Sequence, residues 1–186
     1  TEFKVVLTRT EDIFLSLEDR ITIAAQSGAD LFISLHADAV IEGEASGTTV
    51  YLLSENATDK MSAQLASRHD RSEILRDVDL SGIDSQVASV LIDIARQETR
   101  PRNVAFASFI LQVFQEKIME LSSQPLRYAA FSVLKSPDIP SILIEAGFMS
   151  TSSDLQNLIT PQWRVEFADA LSEAISRWQI KDKKQK

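Results

Sequence analysis

An α/β domain, with a mostly parallel central sheet and helices on both faces, is what this sequence predicts. Two short runs carry that reading. Leu31 to Leu35 is apolar except for Ser34, and Ser141-Ile142-Leu143-Ile144 is apolar after its serine, as expected of strands covered on both faces. Amphipathic helical patterns lie between such runs, which is the layout of a layered α/β domain. At 186 residues and 44% hydrophobic, the chain is long enough to bury a core of its own as a single domain.

Phe3 to Leu7 reads as a buried strand, since Val5, Val6 and Leu7 are consecutive, and polar Thr8 to Asp12 follows. Ser16 and Asp19 form a capping box for a helix with Leu17, Ile21, Ala24 and Ala25 on its apolar face, stopped at Gly28. The next strand ends in His36. Strand, helix and strand make a βαβ unit, so these two strands are expected to be parallel. Residues 40–47 form a loop, Gly47 opens a strand from Thr48 to Leu53, and a helix starting near Ala57 carries Met61 and Leu65.

From Arg68 to Gly82 the chain changes character: Arg68 to Glu73 is almost wholly charged or polar, and Asp77, Asp79 and Gly82 make the rest irregular. Asp84 is placed to cap a helix bearing Val87, Val90, Leu91 and Ile94, widened by Ile92. Pro101 is expected to restart a helix, with Phe106, Phe109, Ile110, Val113, Phe114, Ile118 and Leu121 at helical spacing as a core stripe. Tyr128 to Leu134 reads as a strand, and a turn through Pro140 leads into the strand that ends in Glu145. Thr151 with Asp154 caps a short helix. Thr160-Pro161 opens the last one, which buries Trp163, Phe167, Leu171, Ile175 and Trp178.

Composition narrows the function classes. A net charge of -8 argues against non-specific nucleic-acid binding, and the basic tail 181–186 is too short to change that. No apolar run approaches the roughly 18 residues of a membrane span. With no cysteines, thiolate metal sites and disulfides are excluded. The chain has no initiator Met and starts within two residues of an expected strand, so it reads as part of a longer protein.

His36 and Glu145 are the residues that could carry chemistry. Each stands at the end of a buried strand, where open α/β sheets bind ligands. His36 is either structural or a metal ligand, and Asp38 either orients its imidazole or caps the following loop. Glu145 is either a paired structural charge or a general base.

In their contexts these residues resemble one family. Val5-Val6-Leu7-Thr8-Arg9-Thr10, Leu17 to Arg20, Ser34-Leu35-His36-Ala37-Asp38-Ala39 and Val133 to Ser150 are similar to the zinc-dependent N-acetylmuramoyl-L-alanine amidases. These bacterial hydrolases cut peptidoglycan between the muramic acid lactyl group and L-alanine. The resemblance implies that His36 is a zinc ligand and Glu145 the catalytic base that activates a water on the metal. The family's first zinc histidine and its zinc glutamate would lie before Thr1. On this reading residues 1–180 are an amidase catalytic domain lacking its first strand and helix, and 181–186 are a basic tail.

Residues 68–102 resemble the inserted helical regulatory segment of the cell-division amidases, which LytM-type partners activate at the septum. In that subgroup a glutamate from the insertion fills the metal's open position. Glu73 is the candidate autoinhibitory metal ligand, with His69 and Asp70 as rivals; a solvated charged loop is the bland alternative. Val87, Val90, Leu91 and Ile94 are the candidate activator-binding face, with core packing as the alternative. Thr8, Arg9 and Arg20 fit the family pattern as structural braces, and Arg9 also suits substrate carboxylates. The resemblance further implies a periplasmic, monomeric enzyme acting in daughter-cell separation. The competing function is a non-catalytic wall-binding or scaffold protein on the same fold, and a further rival is a related metal hydrolase acting on another amide.

Overall fold

A computed structural model describes residues 3–40, 45–74, 86–117 and 119–183; the side chains of 71–97 lie outside that description. The described residues form five α-helices and a four-stranded mixed sheet. In chain order they are α1 (Leu17–Gln26), β1 (Phe32–His36), β2 (Thr48–Leu53), α2 (Lys60–Ile74), α3 (Gln86–Glu116), β3 (Leu121–Ala129), β4 (Ser141–Glu145), α4 (Ser152–Ile159) and α5 (Pro161–Asp182). They group into two compact units.

The first unit is Thr1–Phe32, Leu53–Pro101 and Tyr128–Ser141. Ser16 caps α1 as its sequence predicts, its hydroxyl accepting from the Asp19 N–H, and Gly28 follows the helix at φ +65°. Asp59 accepts from the Ser62 N–H at the start of α2. Arg9 donates to the Ile13 carbonyl and Arg20, from α1, to the Leu15 carbonyl, so both brace the loop before α1. Phe3 to Leu7, by contrast, is not a strand. Val5 is 77% and Leu7 67% exposed, and no described strand pairs with the run. An apolar run becomes a strand only where a second backbone takes up its N–H and C=O groups, so the βαβ unit expected from this segment does not form.

Two more expectations need correcting here. The segment after Arg68 is helical to Ile74, because α2 continues through the charged residues. Tyr128 to Leu134 is not a strand: β3 stops at Ala129, and Ser132–Leu134 is a 3₁₀ turn with Val133 and Leu134 buried. Pro125 lies within β3. It is tolerated because, among the described residues, β3 lies at one end of the sheet, with a partner on one side only.

The second unit is Ile33–Leu52, Arg102–Arg127 and Ile142–Lys186. The strand order is β1-β4-β2-β3. β1 and β4 run parallel: the Phe32 N–H bonds the Pro140 carbonyl where both begin, and the Ala146 N–H bonds the His36 carbonyl where both end, each at 2.9 Å. β4 and β2 are antiparallel, with Thr49 opposite Glu145 and Tyr51 opposite Leu143. β2 and β3 start side by side, Thr48 N–H donating to the Glu120 carbonyl at 2.8 Å. Central β4 and β2 are buried almost throughout, whereas β1 alternates, with Leu35 58% exposed. The expected burial of β1 on both faces fails because β1 ends the described sheet. Gly47 needs its φ of +75°, and a Cβ there would stand 2.6 Å from the Leu121 backbone, so only glycine lets β2 and β3 begin together.

Helix α3 is continuous through Pro101, where the sequence suggested a new start. The core stripe holds as far as Phe114: Phe106, Ile110, Val113 and Phe114 are fully buried. Leu121 belongs to β3 instead. On α5 the buried face is Phe167, Ala170, Ala174 and Trp178, so two of the five expected residues anchor it and the small alanines let α5 pack closely. Phe106 packs at a tilt against Trp178, and Phe114 meets Phe167 edge-on. At the surface, Arg177 bonded to Glu116 holds that carboxyl below its ordinary range. Lys117, and then Arg177, do the same for Glu173, which in turn raises Lys117. These exposed pairs contribute little to stability.

Candidate metal and catalytic site

Because β1 and β4 are parallel neighbours, their last residues emerge side by side, and those residues are His36 and Glu145. Glu145 is fully buried, a costly position for a carboxylate. Part of that cost is met by the backbone N–H of Asp38, which donates to Glu145 Oε2 at 3.1 Å. An N–H directed at a carboxylate stabilises its charge and fixes its aim. The ring of His36 is held from the other side, with Ser34 Oγ 2.8 Å from Nε2.

The loops carrying these groups are tied to each other. Met149 N–H donates to the Asp38 carbonyl at 2.7 Å, and Val40 N–H to Ser150 Oγ at 3.1 Å. Asp154 was expected to cap α4, yet it is buried and accepts from the N–H groups of Gly47 and Phe148 at 3.0 and 2.8 Å. Thr151 likewise turns from capping to donate its hydroxyl to the Ala45 carbonyl. Both side chains therefore fasten the loop after Glu145 to the entry of β2. A helix N-terminal pattern conceals that role, because Thr and Asp at those positions cap most helices.

His36, Asp38 and Glu145 each bring a ligand atom within 4.8 Å of the others. One imidazole nitrogen with two carboxylates is a donor set that zinc accepts. Zinc bonds of about 2.0–2.2 Å require donors closer than that spread, a gap side-chain rotation can close. The residues present therefore fit the metal, and the Asp38 carboxylate is among them, where the sequence reading had offered it as an orienting group or a loop cap. The other expected residues belong to the first unit. Asp70 accepts from both the N–H and the hydroxyl of Ser132, so its carboxylate is engaged in the first unit, and His69 packs edge-on against Phe131 at 5.4 Å. Glu73 is in α2, and Val87, Val90, Leu91 and Ile94 are in the first turns of α3; the side chains of all five lie outside the described residues.

A family model described as N-acetylmuramoyl-L-alanine amidase (Amidase_3) matches residues 1–177. The chain belongs to this amidase family. Among its amidase relatives, AmiA of Salmonella typhimurium is 36% identical over 170 residues, covering 91% of this chain and 58% of the relative. AmiC of Escherichia coli is 35% identical over 176 residues, covering 94% of this chain and 42% of the relative. The chain thus spans about half the length of these curated amidases. Its fold is that of solved family structures: Ami1 of Mycobacterium smegmatis superposes with a TM-score of 0.63 at 17% identity, covering 93% of this chain and 65% of that one. AmiC2 of Nostoc punctiforme gives a TM-score of 0.57 at 23% identity, covering 94% and 71%. Among the described residues no helix is long and apolar enough to cross a membrane.

Proposed function

We propose that the protein hydrolyses the amide bond between the lactyl group of N-acetylmuramic acid and the L-alanine of the stem peptide in peptidoglycan. One observation carries the reading: in a member of the amidase family, His36 and a buried Glu145 stand together at the ends of adjacent parallel strands. His36 would hold a zinc ion, with the Asp38 carboxylate a second donor in reach, and zinc there would polarise the amide carbonyl and acidify water.

The protein's own groups do the rest. Glu145, aimed by the Asp38 N–H, takes a proton from the attacking water as the new C–O bond forms. It then gives that proton to the departing L-alanine nitrogen as the C–N bond breaks. The products are a lactyl carboxylate and a peptide with a free amino terminus. Incubating purified muropeptide with the zinc-loaded protein and resolving the products by mass spectrometry tests this. The expected pair is intact disaccharide plus free stem peptide; cleavage of ordinary peptides but not muropeptides would overturn it.

Regulation belongs to the same reading. Residues 68–102 are the regulatory insertion, Glu73 blocks the metal at rest, and Val87, Val90, Leu91 and Ile94 receive a LytM-type activator during daughter-cell separation in the periplasm. The support is the resemblance of this segment together with its placement across the end of α2 and the start of α3. Glu73→Ala is expected to raise the basal rate about tenfold, as a coupling of about 1.4 kcal/mol gives. An unchanged rate would remove Glu73 from that role. Leu91→Asp should lower activated turnover and leave the melting temperature alone; a large fall in melting temperature would make that helix face core.

A further inference from the structure

Strand alternation places Phe32, Ser34 and His36 on one face of β1, and Phe32 and Ser34 there are both buried, at 8% and 9% exposure. Residues two apart on a strand are close enough for a hydroxyl to meet the ring of a histidine, and Ser34 Oγ lies 2.8 Å from His36 Nε2. Imidazole nitrogens divide their work. In the neutral ring one carries the proton and the other a lone pair, and only the lone-pair nitrogen can bind a metal. Whatever engages one nitrogen therefore decides what the other can do.

We infer that Ser34 is a positioning residue that holds the His36 ring with Nε2–H donating to Ser34 Oγ, so that Nδ1 is the nitrogen offered to the metal. The inference rests on the zinc reading of His36 and adds to it the choice of nitrogen. Serine suits the task because its hydroxyl accepts the Nε2–H bond without bringing a charge into a buried face. A carboxylate in that place would itself compete for the cation. Without the hydroxyl, the ring can flip and exchange its nitrogens, which loosens the metal and misplaces it relative to Glu145.

Long-range ¹H–¹⁵N spectra of the imidazoles test this, with His36 distinguished from His69 by a His69→Gln variant. The metal-free protein should show His36 protonated on Nε2 with a lone pair on Nδ1, and zinc should move the Nδ1 resonance. Ser34→Ala should average the two nitrogens and weaken zinc binding by about tenfold or more, the usual effect of losing such a support. Ser34→Thr, which keeps the hydroxyl, should restore both, and this rescue separates positioning from simple packing. Zinc bound by Ser34→Ala with unchanged affinity and an unchanged ring spectrum would overturn the role of Ser34 and leave the metal reading standing. Zinc leaving the His36 resonances of the unaltered protein untouched would overturn the metal reading and this inference with it.

Discussion

Glu145→Gln is expected to lower muropeptide hydrolysis by roughly 10²–10⁴-fold, the contribution of a positioned general base, while the fold and zinc binding persist. Glutamine has the shape of glutamate, and its amide oxygen can still accept the Asp38 N–H that now reaches Oε2. It cannot take a proton from water. Removing a charge from a fully buried position also relieves desolvation, so the melting temperature should stay level or rise. The measurement is release of free stem peptide, beside zinc stoichiometry and thermal unfolding of the same preparations. Turnover within a few-fold of the unaltered protein would remove Glu145 as the base.

The largest effect on stability is expected from splitting Arg102 and Asp182. Arg102 donates through Nε and Nη2 to both carboxylate oxygens at 2.6 and 2.7 Å, joining α3 to the end of α5. Its guanidinium also lies 5.7 Å from the Trp178 ring, and Trp178 Nε1 donates to the Arg102 carbonyl. The two side chains are only 15% and 9% exposed, so neither charge can turn to solvent when its partner is lost. Asp182→Ala should cost roughly 3 kcal/mol by leaving a mostly buried cation unpaired. In a chain of this size that is a fall of about 6–12 °C in Tm. The double replacement Arg102→Met with Asp182→Leu should recover most of the loss, because no charge is then stranded. Thermal unfolding of the single and double variants decides it. Equal losses in both would mean that packing, not the ion pair, holds the two helices there.

Sequence alone determined whatever depends on a short window. The capping serine and terminal glycine bound α1, Pro161 opens α5, and the apolar runs ending in His36 and Glu145 mark β1 and β4. These are local properties of the backbone and of side-chain periodicity, so neighbouring residues suffice to read them. The tertiary structure decided which strands pair. Nothing in a local pattern says that β1 lies beside β4, yet that pairing brings the Asp38 N–H to Glu145 and makes a site of two isolated residues. The same limit explains the misread segments. Phe3 to Leu7 has strand composition without a described partner, and Leu121 continues a helical spacing yet lies in β3. Asp154 looked like a helix cap because its real partners, Gly47 and Phe148, are distant in sequence or outside the helix. Backbone groups must be satisfied by something, and only the folded chain determines by what.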